Sequence, residues 1–161
     1  MKLVIDTSVM IDHLRGHAQA VAVLSNAARA GDELWSVTVT RTEVLAGMRR
    51  GEERATHALL DAIRWQDVTS EIADRAGDLA RKYLRSHRGV DTVDYLVAAA
   101  SEVLGARVLT QNVRHFRCSR PSGQLTRAAT GNGWRFAPRV PHSQRYFERG
   151  LGFAVARSSS G

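Results

Sequence analysis

The chain contains a single cysteine, Cys118. Neither an internal disulfide nor a Cys-rich zinc site can be built from it, and a reducing compartment, the cytoplasm, is expected. Proline is scarce, at 3 in 161 residues, and Gly numbers 13; collagenous and low-complexity classes are excluded. No apolar run approaches the roughly 18 residues that a membrane helix requires. The opening MKLVIDTSVM meets Asp6 before the apolar core of a signal peptide could form, so no export or membrane-spanning segment is expected. What is present is ordinary for a globular protein: 43% hydrophobic and 24% charged residues, in a length suited to one domain with a sizeable core.

Acidic residues are nearly missing from one region. Residues 118–161 hold 7 Arg against Glu148 alone, whereas residues 1–117 hold 16 Lys+Arg against 15 Asp+Glu. Of the net charge of +7, +6 therefore belongs to the tail, and a basic average is weak evidence for a polyanionic partner of the folded part. Two regions follow: a domain over 1–117, and a basic C-terminal tail over 118–161, rich in Arg, Ser, Gly and Thr, for which poor order is expected.

Within the first region, Leu3-Val4-Ile5 reads as a strand ending at Asp6-Thr7-Ser8, with Thr7 and Ser8 as N-cap types for a helix that stops at Gly16. Apolar residues from Ala20 to Ala28 predict a second helix ending near Gly31, and 34–39 a second strand. Thr40 or Thr42 is expected to cap a helix carrying Glu43; a further helix covers 52–63, and a short edge strand 65–68. A long helix from Ser70 closes at His87-Arg88-Gly89, and Thr92 is expected to cap an apolar helix ending at Gly105. The strand 107–110 follows, then a short turn or helix from Asn112 to Phe116. Strands alternating with helices predict an α/β fold with a parallel sheet covered on both faces.

Ligands in such sheets gather beyond the carboxyl ends of the strands. Asp6, Glu43, Asp94 and the Thr110-Gln111-Asn112 segment all fall at that end. Each has a plainer explanation: Asp6 as a helix cap, Glu43 as a solvated residue, Asp94 as a helix N-terminal charge with Asp91, and Asn112 as a turn residue. Together they are harder to dismiss. Clustered carboxylates repel one another, and a divalent cation with oxygen ligands removes that conflict. Such an ion supports phosphodiester hydrolysis.

These residues resemble the PIN-domain family, and within it the VapC-type toxins of toxin–antitoxin modules. The resemblance covers 2–116. It rests on Val4-Ile5-Asp6-Thr7-Ser8 with Asp12 shortly after, Glu43 in TEVLAG, Asp94 in DYLVAAA, and Leu109-Thr110-Gln111-Asn112 before His115-Phe116. It implies a PIN-like three-layer sandwich, with a central parallel sheet flanked by helices. It also implies a Mg²⁺-dependent (or Mn²⁺-dependent) endoribonuclease that cleaves structured RNA such as tRNA or rRNA, restrained by a VapB-like antitoxin and homodimeric. By position, Asp6, Glu43 and Asp94 would be the catalytic, metal-binding acids. Thr7, Ser8 and Thr110 would support them, with Asp91 as a candidate extra acid. Where many relatives have a further acid near the last motif, this chain has Asn112.

The alternative is a weakened PIN-like module that binds RNA or antitoxin without cleavage. Less favoured are a phosphatase or a DNA nuclease, since metal and carboxylates alone do not choose among phosphoesters. The tail departs from the family's apolar, Pro-rich ending after Phe116. Arg outnumbers Lys by 21 to 2, as in a GC-rich gene, and one inserted C after the Phe116 codon converts inferred codons into Phe-Pro-Met-Phe-Pro-Ala-Phe-Arg. A reading-frame shift after Phe116 is one reading, and an authentic extension whose Arg and scattered aromatics contact RNA is the other; the nucleotide sequence decides between them.

Overall fold

The computed structural model describes residues 1–83 and 90–112, and the backbone of a short strand at 135–136. In chain order the elements are β1 (Lys2–Ile5), α1 (Thr7–Leu14), α2 (Ala18–Arg29), β2 (Glu33–Val37), α3 (Thr38–Ala46), α4 (Glu53–Asp61), β3 (Arg64–Gln66), α5 (Ser70–Tyr83), α6 (Thr92–Val103), β4 (Arg107–Thr110) and β5 (Arg135–Phe136). The sheet order is β3-β2-β1-β4-β5. The first four strands are mutually parallel, and β5 runs antiparallel to β4 with Leu109 opposite Phe136 and Thr110 opposite Arg135.

The apolar run in β1 is continuous because the strand is buried on both sides: Leu3, Val4 and Ile5 are fully covered. Side chains alternate across the sheet. Val4, Val37 and Val108 pack with Ile72, Ala76 and Leu79 of α5 and with Tyr95 and Val97 of α6. Leu3, Ile5 and Leu109 pack on the opposite face with Val9 and Met10 of α1, Leu24 of α2, Val44 of α3 and Leu60 of α4. Each fully buried Leu or Ile contributes about 1.5–3 kcal/mol. The result is the expected three-layer α/β sandwich, helices on both faces of a parallel sheet. Among the described residues no helix is long and apolar enough to cross a membrane.

Three helix starts differ from expectation. Helix α1 begins at Thr7 with Asp6, not Thr7 or Ser8, in the N-cap position. Helix α3 begins at Thr38 directly after β2, with Val37 in the N-cap position, so Thr40 lies buried inside the helix and caps nothing. Helix α6 is capped by Asp91 rather than Thr92. In the first two cases the side chain of the N-cap residue makes no cap hydrogen bond, so the start is set by where strand pairing stops rather than by the best capping residue. The helix end expected at His87-Arg88-Gly89, the segment after Asn112 and the order expected for 118–161 lie outside the described residues, save for β5.

Candidate functional site

Pairing between β1 and β4 continues one residue past β1, since the Asp6 N–H donates to the Leu109 carbonyl at 3.0 Å. The neighbouring Ile5 carbonyl accepts a buried hydrogen bond from Ser36 Oγ of β2 at 2.7 Å. Asp6 therefore leaves the sheet from a backbone fixed on both sides. Its side chain does not cap α1. Oδ2 instead accepts from Ser8 Oγ at 2.7 Å and from Thr110 Oγ1 at 2.7 Å, and Thr110 Oγ1 accepts from the Asn112 N–H at 2.9 Å. Asp6 is 7% exposed and Thr110 is fully buried.

The next residue serves a second carboxylate, for Thr7 Oγ1 donates to Glu43 Oε2. Glu43 reaches this position because α3 starts immediately after β2, at the same end of the sheet as Asp6. Two acids 37 positions apart in sequence are thus tied to consecutive residues, Asp6 through its own backbone and Glu43 through Thr7. Among the described residues, Asp6 Oδ1 and Glu43 Oε1 accept no hydrogen bond.

Asp94 is placed by topology. A helix that leads directly into a parallel strand packs antiparallel to it, so the N-terminus of α6 stands at the carboxyl end of β4. There Asp91 and Asp94 form a reciprocal capping box: the Asp94 N–H donates to Asp91 Oδ1 at 3.0 Å, and the Asp91 N–H to Asp94 Oδ2 at 3.2 Å. Asp91 is exposed and Asp94 partly covered.

The donor set is all oxygen, the chemistry of a hard divalent cation. Asp6 and Glu43 each retain a carboxylate oxygen without a hydrogen bond, and Mg²⁺ commonly takes one or two carboxylates and keeps waters for the rest. The residues fit such an ion. They do not form a closed cage, because among the described residues no three His, Cys, Asp or Glu side chains gather closely enough to hold an ion between them.

Two contacts at this end have no counterpart in the sequence reading. Gln111 Nε2 donates to Asp12 Oδ2, and His17 Nδ1 lies 3.2 Å from the same oxygen. The Ser36 bond to Ile5 is equally silent in sequence, where Ser36 is one polar residue in a strand.

The family model described as "PIN domain" matches residues 3–120. Ribonuclease VapC19 of Mycobacterium tuberculosis is 47% identical over 116 residues, covering 72% of this chain and 92% of that protein. Ribonuclease VapC10 of the same organism is 41% identical over 114 residues, covering 71% and 85%. Among solved structures, VapBC2 from Rickettsia felis bound to a DNA fragment from its promoter superposes with a TM-score of 0.61 at 16% identity, covering 73% of this chain and 93% of that one. DNA-bound VapBC from Salmonella typhimurium gives 0.60 at 19%, covering 72% and 90%. At such identities the structural likeness speaks for the fold.

Proposed function

The chain belongs to the PIN domain family, and from that premise we propose that it is a metal-dependent endoribonuclease, the toxin of a toxin–antitoxin pair, acting on structured RNA such as tRNA or rRNA. The relatives named ribonuclease VapC, at 41–47% identity over most of their length, support the ribonuclease activity. Fold neighbours described as VapBC complexes support an antitoxin as partner. The toxin would act in the cytoplasm, where such RNA is found, and as a homodimer.

The observation that carries the reading is the Asp6 carboxylate, buried, with one oxygen held by two hydroxyls and the other, among the described residues, without a hydrogen bond. A buried anion in that state is held ready for a cation. When bound, Mg²⁺ or Mn²⁺ supplies Lewis acidity at a phosphoryl oxygen and lowers the pKa of a water. Asp6 and Glu43 would hold the ion, with Asp94 as the third acid and Asp91 as a reserve. Ser8 and Thr110 hold the Asp6 carboxylate in one orientation, and Thr7 does the same for Glu43. The Asn112 N–H fixes the Thr110 hydroxyl, so that its proton points at Asp6. Asn112 adds no negative charge to the site, which leaves it less acidic than one with an Asp there.

Cleavage of total RNA by purified protein with Mg²⁺, with EDTA, and with Asp6→Asn or Asp94→Asn tests this. Metal-dependent cleavage lost in both variants supports the nuclease. Equal cleavage by all three proteins removes the carboxylates from the mechanism. The second reading, a module that binds RNA or antitoxin without cutting, is favoured by the Asp94 carboxylate being taken up in a capping box; it predicts no cleavage by any form.

A further inference from the structure

The geometry points to Asp12 as a positioning residue for this site, a clamp that holds the chain leaving β4 so that Thr110 and Asn112 stay aligned on Asp6. The inference rests on the metal-site reading above.

Its first ground is an anomaly in α1. Asp12 stands in the last turn of an eight-residue helix, where the exposed carbonyls make a negative charge unfavourable by about 0.3–1 kcal/mol. The helix dipole alone does not account for an acid there. Its side chain is nonetheless 15% exposed and carries two partners.

The second ground is how those partners are brought in. Helix α1 closes with the His17 N–H on the Asp12 carbonyl at 2.9 Å and the Gly16 N–H on the His13 carbonyl at 3.0 Å, the paired bonds of a Schellman motif. Gly16 takes φ +73°, a left-handed turn that glycine adopts without steric cost. The turn folds His17 back over the helix end, and Nδ1 comes to 3.2 Å from Asp12 Oδ2. The carboxylate is thereby fixed by its own helix end, and the same oxygen accepts from Gln111, 99 residues away.

The third ground is what Gln111 is attached to. It lies between Thr110, whose hydroxyl donates to Asp6, and Asn112, whose N–H donates to that hydroxyl. Residues 110–112 are thus held at two outside points, Thr110 on Asp6 and Gln111 on Asp12, with Asn112 bonded back onto Thr110. Freeing Gln111 lets the segment swing and takes the Asn112 amide off Thr110 Oγ1. The Thr110 hydroxyl can then rotate away, and Asp6 loses one of the two donors that orient it. Groups that orient metal-binding carboxylates typically change metal affinity by about 10–100-fold when removed.

The test measures Mn²⁺ binding to the full chain without RNA by calorimetry, together with amide hydrogen exchange at Asn112 without metal. Asp12→Ala and Gln111→Ala are each expected to weaken Mn²⁺ about 10-fold and to speed Asn112 exchange. The double variant should be no worse than either single one, because both remove the same contact. Asp12→Asn, which keeps an oxygen acceptor for Gln111, should restore most of the affinity. Wild-type Mn²⁺ affinity and wild-type Asn112 exchange in folded Asp12→Ala would overturn the clamp, as would fully additive losses. A chain whose Mn²⁺ binding is untouched by Asp6→Asn would overturn the metal-site reading and the clamp's part in it. The metal-free exchange result would still report separately whether Asp12 holds the segment.

Discussion

Thr110 Oγ1 donates to Asp6 Oδ2 at 2.7 Å across 104 positions of sequence, joining the ends of two adjacent parallel strands by a buried, charge-assisted hydrogen bond. Neither residue could supply this alone: β1 delivers the carboxylate and β4 the hydroxyl, and the register of Ile5 opposite Leu109 sets them side by side. Replacing Thr110 by Val keeps the shape and removes the donor. Stability is expected to fall by about 1.5–3 kcal/mol, the range for a hydrogen bond to a charged group, and Mn²⁺ affinity by about 10-fold or more. Thr110→Ser should retain both. Urea unfolding and calorimetric titration of the two variants check this.

Asp91 and Asp94 share one capping box but should separate by experiment. Asp91→Ala removes the N-cap of α6 and is expected to cost about 1 kcal/mol, with Asp91→Ser close to neutral. Cleavage per folded molecule should survive both. Asn at position 94 still offers an oxygen to the Asp91 N–H, so Asp94→Asn should leave stability within about 0.5 kcal/mol of wild type while abolishing metal-dependent cleavage. Thermal unfolding beside a cleavage assay distinguishes the two residues. If Asp94→Asn cuts RNA normally, its charge is not needed for cleavage.

The same capping box shows where sequence reading ran out. Strands were legible because β1 and β4 are short apolar runs bounded by polar residues, and the carboxyl end of the sheet followed from strand and helix order. Helix starts were not, since Thr7, Thr40 and Thr92 are all good capping types, yet strand pairing or a neighbouring Asp fixed each start elsewhere. The β-branched stretch 37–39 favours a strand locally, but β2 stops at Val37 and α3 begins at Thr38. For Asp94, spacing from Asp91 fits a cap and a metal ligand equally well. Asp12 stood within a recognised motif, but its partner lies 99 residues away; an acid near a helix C-terminus was the one local sign that it serves something else.

Arg75 of α5 pairs with Glu102 of α6, the two helices that cover one face of the sheet. Glu102 is largely buried, and among the described residues its Oε1 has no hydrogen-bond partner. Removing the guanidinium leaves a buried carboxylate with less compensation, so Arg75→Ala is expected to cost about 2 kcal/mol, below the full buried-pair range because Arg75 is partly exposed. Replacing both, Arg75→Ala with Glu102→Leu, should recover most of the loss by removing the stranded charge. A double-mutant cycle in urea measures the coupling, and a double variant as unstable as Arg75→Ala would show that packing rather than charge sets the cost.

His13 of α1 sets a pH dependence of the same sign as that of a paired carboxylate but of different origin, burial of the neutral form rather than pairing of the charged one. Burial pushes its pKa below the ordinary 6.5, and among the described residues its buried Nδ1 has no hydrogen-bond partner. Folding therefore favours the neutral imidazole. The unfolded chain binds its proton near pH 6.5, whereas the folded chain binds it only at lower pH. Between those two points the unfolded state carries more protons at this residue, so stability falls as the pH is lowered. At neutral pH and above the contribution is fully present; it declines below about pH 6.5 and levels off once the folded His13 is also protonated. Urea midpoints at pH 7.5 and pH 5.5 should therefore differ more for wild type than for His13→Gln, which cannot take up a proton. Comparing the difference between the two proteins, rather than either slope, isolates His13 from carboxylates that titrate lower. Equal slopes over that interval would mean that the imidazole takes its proton as readily folded as unfolded.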